Sequence, residues 1–186
     1  LIIKMSPKKN NKGEIQFTDY PDFKPNLTPK EIFELGSFGG TYWRPIYSTV
    51  NKKKYKNKHK KFAKWWKNIP DEHLTKSFDE YDKSINKYKV QVGTTLEYWQ
   101  EKGWINGQDP YGWVEWYCHF YNGRRSDDDE RQVSRWKGIA SENGRFRKRL
   151  INMIKDKKAK YDDEKISPKI RQTLLHWGYI VKENDI

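Results

Sequence analysis

Two residues with catalytic chemistry share the narrow polar strip of one aromatic-rich segment. Glu115 and His119 are four positions apart, so a helix would place them on the same face. A carboxylate beside an imidazole can act as an oriented general base. The pair lacks the second histidine of the paired-histidine zinc motif, and a buried histidine satisfied by hydrogen bonds is the commoner arrangement. Both interpretations stay open from the residues alone.

A run of acids, Asp127 to Glu130, is the second candidate for chemistry. One or two carboxylates, with waters and a phosphate, form the usual Mg²⁺ site. Neighbouring helical residues point in different directions, however, so four acids in a row cannot all meet one ion. Acids in a first helical turn also interact well with the helix dipole, and Asp128 lies three residues before Arg131. We therefore expect Asp128 and Asp129 to be structural and predict neither a metal site nor a cofactor. Asp128, Asp129 and Glu130 are kept as alternative catalytic candidates.

Lysines give the chain a possible phosphate-binding surface. Between Leu35 and Pro70 the sequence contains no acid, and segment 52–67 mixes lysines with aromatic residues. In a helix over 52–67, Phe62, Trp65 and Trp66 would lie on one apolar face, and the remaining surface of the helix would be basic. The row of predicted phosphate contacts consists of Lys56, Lys60, Lys64 and Lys67.

Arginines follow the aromatic segment and extend this chemistry. Arginine binds phosphate through two parallel hydrogen bonds and stacks on bases or rings. A second set of residues is predicted to contact nucleic acid and mostly to face outward: Arg124, Arg145, Arg147, Lys148 and Arg149. Arg125 and Arg131 are interpreted instead as internal clamps that bind helix-end carbonyls and acids.

A central helix is predicted to position Glu115 and His119. Asp109 followed by Pro110 is typical of a helix start, and Asn122 followed by Gly123 of a helix end. Aromatic residues recur between them at helical spacing: Trp113, Trp116, Tyr117 and Phe120. A helix that is apolar on most sides is buried in a globular protein. We therefore predict a buried helix over 109–121 that contacts more elements than any other.

Start and stop signals predict further helices on both sides of this one. Thr28, Pro29 and Glu31 form a capping-box pattern that predicts a helix over Pro29–Leu35, and Ser126 and Ser167 are predicted caps of later helices. The predicted fold class is all-α, a compact bundle of six or seven helices around the central one, with an extended N-terminal arm. The predicted organisation is a basic arm rich in Pro, Asn and Lys over 1–28, a single α-helical domain over 29–182, and a tail over 183–186.

Charge and composition restrict the classes of partner. The chain of 186 residues carries a formal charge of +13 and is 16% aromatic. A charge this large favours nucleic acid or another polyanion as partner, although a compositional bias toward Lys and Asn is a competing explanation. The single cysteine, Cys118, excludes an intramolecular disulfide. Together with the lack of a transmembrane-length apolar run, it predicts no membrane partner and a reducing intracellular setting: the nucleus, a cytoplasmic viral factory or a virion.

Several longer motifs resemble those of a family of largely uncharacterised proteins from fungi, algae and large DNA viruses. The motifs are ELGSFGGTY at 34–42, KVQVG at 89–93, DPYGW at 109–113 with the following WY at 116–117, GRR at 123–125, DDERQ at 128–132 and RQTLLHWG at 171–178. The resemblance spans roughly residues 34–181. The resemblance implies an intracellular eukaryotic or viral setting, and no activity follows from it.

The residues favour a protein that binds nucleic acid, DNA in preference to RNA, through phosphate contacts with little sequence preference. One alternative is an enzyme acting on nucleic acid, of the nuclease or base-excision type, that uses Glu115 and His119 or the acids at 128–130. Such an enzyme needs those side chains in a cleft lined by Arg and Trp. The other alternative is a structural or virion-associated protein whose charge packages nucleic acid.

Overall fold

The computed structural model describes residues 5–186, so the first four residues of the predicted arm lie outside it. The described chain is mostly helical. Its six α-helices are α1 (Pro29–Leu35), α2 (Leu96–Glu101), α3 (Trp113–Tyr121), α4 (Asp129–Ala140), α5 (Arg145–Asp156) and α6 (Pro168–His176). Short 3₁₀ helices lie at Phe38–Gly40, Lys58–Trp65, Asp71–His73, Phe78–Glu80 and Glu183–Asp185.

One small sheet qualifies the all-α prediction. Strands β1 (Ile46–Ser48) and β2 (Lys53–Tyr55) pair in antiparallel fashion, with Ile46 opposite Tyr55. Each strand is only three residues long. A strand of that length is too short to show the alternating pattern by which strands are identified in a sequence, and this is why the hairpin was not predicted.

Capping chemistry fixes α1 where the sequence predicts it. The Thr28 side chain accepts a hydrogen bond from the Glu31 backbone N–H at 3.1 Å, and the Glu31 carboxylate accepts one from the Thr28 N–H at 3.2 Å. Pro29 occupies the first turn, and Gly36 ends the helix with a φ of 101°. The helix over Pro29–Leu35 is confirmed. The Ser167 side chain caps α6 in the same way, by accepting from the Ile170 N–H.

The predicted start of the central helix is wrong by four residues. Helix α3 begins at Trp113, and Gly112 precedes it with a φ of 93°. The Gly112 N–H donates to the Asp109 carbonyl at 2.9 Å and closes a turn rather than a helical segment. Asp109 does not cap the helix, because its carboxylate is held by Arg124.

Helix α3 is the most completely buried helix, as its apolar pattern predicts. Every residue of it from Trp113 to Phe120 is buried, and Trp116, Tyr117 and Phe120 are 0% exposed. Its main helical neighbours are α1 and α4, whereas α5 packs mainly against α4 and α6. The expectation that it contacts more elements than any other stays a prediction.

The N-terminal arm completes the core around α3. Phe23 is 1% exposed, and its ring centroid lies 5.6 Å from those of Trp116, Tyr117 and Phe120 and 5.2 Å from that of Trp136. The Asn26 side chain donates to the Ile180 carbonyl at 2.7 Å and accepts from the Ile180 N–H at 2.8 Å. The described part of the arm is thus held by the core and by the segment that follows α6.

None of the helices in the described chain has the length and apolar composition needed to span a membrane.

Candidate functional site

Eight exposed lysines cover the hairpin and the 3₁₀ helix that follows it. We call this set the lysine face; its members are Lys52, Lys53, Lys54, Lys56, Lys60, Lys61, Lys64 and Lys67. The lysines that form ion pairs within residues 5–186 are Lys9, Lys30, Lys58, Lys87 and Lys137, so none belongs to the face. The lysine face is therefore a region of positive charge that no carboxylate of the described chain neutralises.

The predicted geometry of this region is wrong even though its exposure is as expected. Segment 52–67 is not an α-helix. Asn57 has a φ of 60° and separates β2 from the 3₁₀ helix, which is itself kinked at Phe62. A 3₁₀ helix repeats every three residues, so Lys56, Lys60 and Lys64 do not follow one α-helical row. They form a patch on an irregular surface.

Aromatic residues anchor the lysine face to α3. Phe62 and Trp66 are 3% and 6% exposed, and the Trp66 indole N–H donates to the His59 carbonyl at 2.8 Å. Trp65 stacks on Phe62 with centroids 5.0 Å apart and meets Tyr121 of α3 edge-on at 5.9 Å. The segment is thus held by its rings while its ammonium groups face water.

The second basic set divides into exposed and buried members. Arg145, Lys148 and Arg149 are exposed on α5. Arg147 is buried, which corrects its predicted outward position. Its guanidinium lies 4.5 Å above the Tyr179 ring and donates to Asp185 at 2.9 Å. At this position of α5 the side chain faces the core, where an aromatic ring and a carboxylate compensate its charge.

Arg124 is likewise engaged inside the protein rather than directed outward. Its guanidinium binds both carboxylate oxygens of Asp109, with Nη1 2.8 Å from Oδ1. Asp109 is 0% exposed. A bidentate pair of this kind satisfies the carboxylate, so Arg124 is unavailable as a phosphate contact while the pair is intact. Arg125 behaves as the predicted clamp, since it donates to the Phe120 carbonyl and to Asp19.

The acidic run is used for local structure. Arg131 binds both oxygens of Asp128, at 2.6 and 3.0 Å. Asp129 accepts from the Trp116 indole N–H at 2.8 Å and from the Ser126 backbone N–H at 2.8 Å. Ser126 was predicted to cap the helix by accepting a hydrogen bond, but here it donates its N–H to the Asp129 carboxylate. Glu130 is exposed, and the candidates Asp128, Asp129 and Glu130 do not converge on one point.

The structure adds Asp109 to the predicted pair of Glu115 and His119. One ligand atom from each of the three side chains lies within 4.8 Å of the other two. Glu115 Oε1 accepts from the Tyr111 N–H at 3.2 Å, and Lys58 Nζ lies 2.8 Å from Oε2 as an ion pair. His119 Nε2 is 3.9 Å from Asp109 Oδ1. Asp109 was not predicted as part of this cluster, because its position before Pro110 is typical of a helix cap.

Buried charge in this cluster is balanced by the protein itself. Two carboxylates, Asp109 and Glu115, face two cations, Arg124 and Lys58. Burial raises the pKa of Glu115, although Lys58 opposes the shift, and burial together with Arg124 lowers the pKa of His119 to about 3. An imidazole of that pKa is a weak base at neutral pH. The donor set could hold a divalent ion only in competition with Lys58 and Arg124.

The residues at the start of α3, from Tyr111 to Val114, form part of the lining of a cavity of about 250 Å³. We call it the aromatic pocket. Aromatic rings form a large part of its lining, among them Tyr42, Phe78, Trp104 and Trp177. The polar side chains of Arg44, Arg135 and His176 also line it. No carboxylate of the described chain lines it. Glu115, His119 and the acids at 128–130 also lie outside its lining.

The two arginines of the aromatic pocket form no ion pair within residues 5–186. Arginine ion pairs in the described chain involve Arg124, Arg125, Arg131 and Arg147. The Arg135 guanidinium instead lies 5.4 Å above the Trp177 ring and 5.8 Å above the Trp104 ring, and donates to the Gln132 side-chain oxygen at 2.9 Å. Burial lowers its pKa to about 10. Arg44 lies 5.2 Å above Phe78 and donates to the Thr41 carbonyl.

No protein-family model, no curated protein and no solved structure matches this chain. The resemblance to proteins of fungi, algae and large DNA viruses therefore stays a prediction. The features of the molecule that bear on its function are the lysine face, the buried cluster and the aromatic pocket.

Proposed function

We propose that the protein binds nucleic acid through the lysine face, by phosphate contacts with little sequence preference. One observation carries the proposal: eight exposed lysines lie together and none is paired with an acid of the described chain. Lysines in solvated faces are commonly accompanied by acids. Where they are not, the local potential attracts polyanions and accelerates their encounter with the surface.

Lysine chemistry determines the kind of binding to expect. An ammonium group is a point charge that contacts phosphate oxygens and carries little information about bases. Binding should therefore vary little between unrelated sequences and weaken steeply with salt, because each neutralised phosphate releases counterions. We propose DNA as the main ligand; an RNA duplex of equal length is the comparison. Exposed Arg145, Lys148 and Arg149 on α5 supply a smaller second surface.

The enzyme alternative has less support. It requires the candidate acids and His119 to lie in a cleft lined by Arg and Trp. The aromatic pocket is lined by Arg and Trp, but Glu115 is 0% exposed and lies outside its lining. Asp128 and Asp129 are bound by Arg131, Ser126 and Trp116. A structural or virion-associated role would use the same lysine face and differ in abundance and location. In either case the protein would act where nucleic acid is present: the nucleus, a cytoplasmic viral factory or a virion.

A triple substitution of lysines tests the proposal. Changing Lys56, Lys60 and Lys64 to Gln should reduce the slope of log K against log salt by roughly two to three, at about 0.9 per phosphate contact. Fluorescence anisotropy on two unrelated DNA duplexes across a salt series gives the slope. Folding should be unaffected, because changes at exposed positions are each worth within about 0.5 kcal/mol.

A charge-matched control separates a local interface from total charge. Changing Lys9, Lys30 and Lys137 to Gln removes the same charge from lysines that are ion-paired to Glu31, Glu34 and Asp22. This control should keep most of the parental slope. Equal losses in both variants, or no binding of the parent at low salt, would mean that the charge is compositional and that the lysine face is not an interface.

A further inference from the structure

We infer that the aromatic pocket binds a single unpaired nucleotide, with its base against the rings and its phosphate at the pocket arginines. The inference rests on the proposed nucleic-acid binding and names the part of the nucleic acid that this second site would take. Four features of the described chain carry it: the sign of the charge in the pocket, the arrangement of its exposed rings, one unused hydrogen-bond donor and the size of the cavity.

The charge of the pocket selects an anion. Arg44 and Arg135 are half-buried, neither forms an ion pair within residues 5–186, and no acid of the described chain lines the cavity. Arg124 and Arg147 are each paired with an acid, and the buried Arg171 donates to two backbone carbonyls. Within residues 5–186 Arg44 and Arg135 each donate to a single acceptor. A partly desolvated guanidinium without a counter-ion is costly, and a phosphate would compensate it through two parallel hydrogen bonds.

The rings at the entrance favour a flat ligand. Trp104 and Phe78 are both 40% exposed, although each contributes to the pocket lining. Each also has an arginine nearby, Arg135 for Trp104 and Arg44 for Phe78. Exposed aromatic rings next to arginines are the usual platform for unpaired bases, because every base can stack on them while the guanidinium contacts the backbone.

His176 supplies a neutral donor for the edge of a base. It is 8% exposed, and its Nε2 receives hydrogen bonds from the Phe38 N–H at 3.2 Å and from the Gln172 amide at 3.0 Å. Because both donors point at Nε2, the ring proton is on Nδ1. Within residues 5–186 that N–H has no partner, and His176 lines the pocket. A base acceptor would satisfy it.

The size of the cavity excludes a duplex. A volume of about 250 Å³ is suited to one nucleotide and is far too small for a base pair with its two backbones. Bases inside a duplex are stacked and must be extruded before a pocket can take them. The ligand is therefore a free nucleotide or an unpaired nucleotide of a strand, and the experiment below distinguishes these two sources.

The test uses 2-aminopurine, a fluorescent base whose emission falls when it stacks on an aromatic ring. One arm titrates the protein into a thymidine oligonucleotide that carries a single central 2-aminopurine. The second arm uses 2-aminopurine deoxyriboside 5′-monophosphate, and the third uses the same oligonucleotide paired with its complement. We expect quenching with the unpaired strand and little quenching with the duplex. Quenching by the free nucleotide as well would identify a nucleotide site, and quenching by the strand alone would identify a single-strand site; both outcomes support the inference.

Two variants and two controls assign the quenching to the pocket. Trp104→Ala and Arg135→Gln should each raise the apparent dissociation constant from the quenching titration roughly tenfold. This is the effect expected for the loss of one stacking partner or one phosphate contact. Tyr47→Ala removes another exposed ring and Lys30→Gln another positive charge, both outside the pocket lining. These controls should leave the titration unchanged. Thermal unfolding of all four variants confirms that each is folded.

The results separate the two proposals. Duplex binding without 2-aminopurine quenching would overturn the inference and leave the proposed function intact. Quenching that persists when the parent fails to bind duplex would overturn the proposed function and leave the pocket as a nucleotide site. Equal quenching by the parent and by Trp104→Ala and Arg135→Gln would also overturn the inference, because the emission change would then arise elsewhere on the protein.

Discussion

The lysine face and helix α3 are both built from aromatic rings interspersed with charged residues, but their charges lie in opposite environments. In α3 the rings surround buried charges, and each is matched: Glu115 by Lys58, and neighbouring Asp109 by Arg124. In the lysine face the rings are turned inward and the charges outward, and no acid is present to match them. The difference shows that the distribution of carboxylates, rather than the number of cations, separates an internal charge cluster from a surface open to polyanions.

Removing a ring from α3 should have the largest effect on stability. Trp116 is 0% exposed, contacts Phe23 and Phe120, and donates to the Asp129 carboxylate. Trp116→Ala should lower the free energy of unfolding by about 3–5 kcal/mol. That loss is comparable to the whole stability of many domains. Thermal or urea unfolding measures it, and a midpoint within a degree or two of the parent would show that α3 does not organise the core.

Breaking the matched charges should cost less than removing the ring. Arg124→Ala leaves the Asp109 carboxylate, whose side chain is 1% exposed, without its bidentate partner. The expected loss is about 3 kcal/mol, because an unpaired carboxylate stays inside the protein. Arg149→Ala is the matched control, since Arg149 is exposed on α5 and forms no ion pair within residues 5–186. Equal urea midpoints for the two variants would mean that the buried cluster is not held by this pair.

Acid should destabilise the folded protein through its buried histidines. Burial lowers the pKa of His176 from 6.5 to about 3. Between these values the unfolded chain binds a proton that the folded chain does not, so the free energy of unfolding falls as the pH falls, by up to about 1.4 kcal/mol per pH unit for one proton. His119 acts in the same direction, whereas the raised pKa of Glu115 opposes both.

A histidine variant isolates this contribution. His176→Gln should flatten the dependence of stability on pH between 6.5 and 3 by close to one proton, measured by urea unfolding at several pH values. His73→Gln, at a half-buried position outside the core cluster, is the control for the substitution itself. A parental slope in His176→Gln would show that the imidazole is protonated in the folded protein.

The smallest expected effect is that of added metal. Asp128 and Asp129 are held by Arg131, Ser126 and Trp116, and the cluster of Asp109, Glu115 and His119 already contains two cations. Calorimetric titration of the nucleic-acid-free protein with Mg²⁺ or Mn²⁺ should give no stoichiometric isotherm. A one-site isotherm that is lost in Asp128→Asn would overturn the structural role of the acids. A one-site isotherm that is lost in Asp109→Asn would show that the buried cluster binds a metal ion.

Local signals in the sequence predict the helices well because capping and apolar spacing are local. Thr28 and Glu31 fix α1, and the aromatic spacing identifies α3. The failures have non-local causes. Asp109 looks like a cap, yet Arg124 occupies its carboxylate, and Arg147 looks like a surface residue, yet Asp185 compensates it from 38 positions away.

The candidate sites also differ in whether their residues are local or distant in the sequence. The lysine face is visible in the sequence because its residues are contiguous, although its 3₁₀ geometry is not, since a kink at Phe62 has no sequence marker. The aromatic pocket was not predicted at all. Its arginines and His176 come from before β1, from α4 and from the end of α6, and only folding brings them together.

The pairing of Asn26 with Ile180 has a consequence for synthesis. The two residues are 154 positions apart, so at about 5–20 residues per second the ribosome adds the second roughly 8 to 30 s after the first. Until then the segment that carries Phe23 lacks the C-terminal segment to which Asn26 forms its hydrogen bonds. We expect the nascent protein to expose this ring during elongation and to depend on chaperones most strongly in that interval.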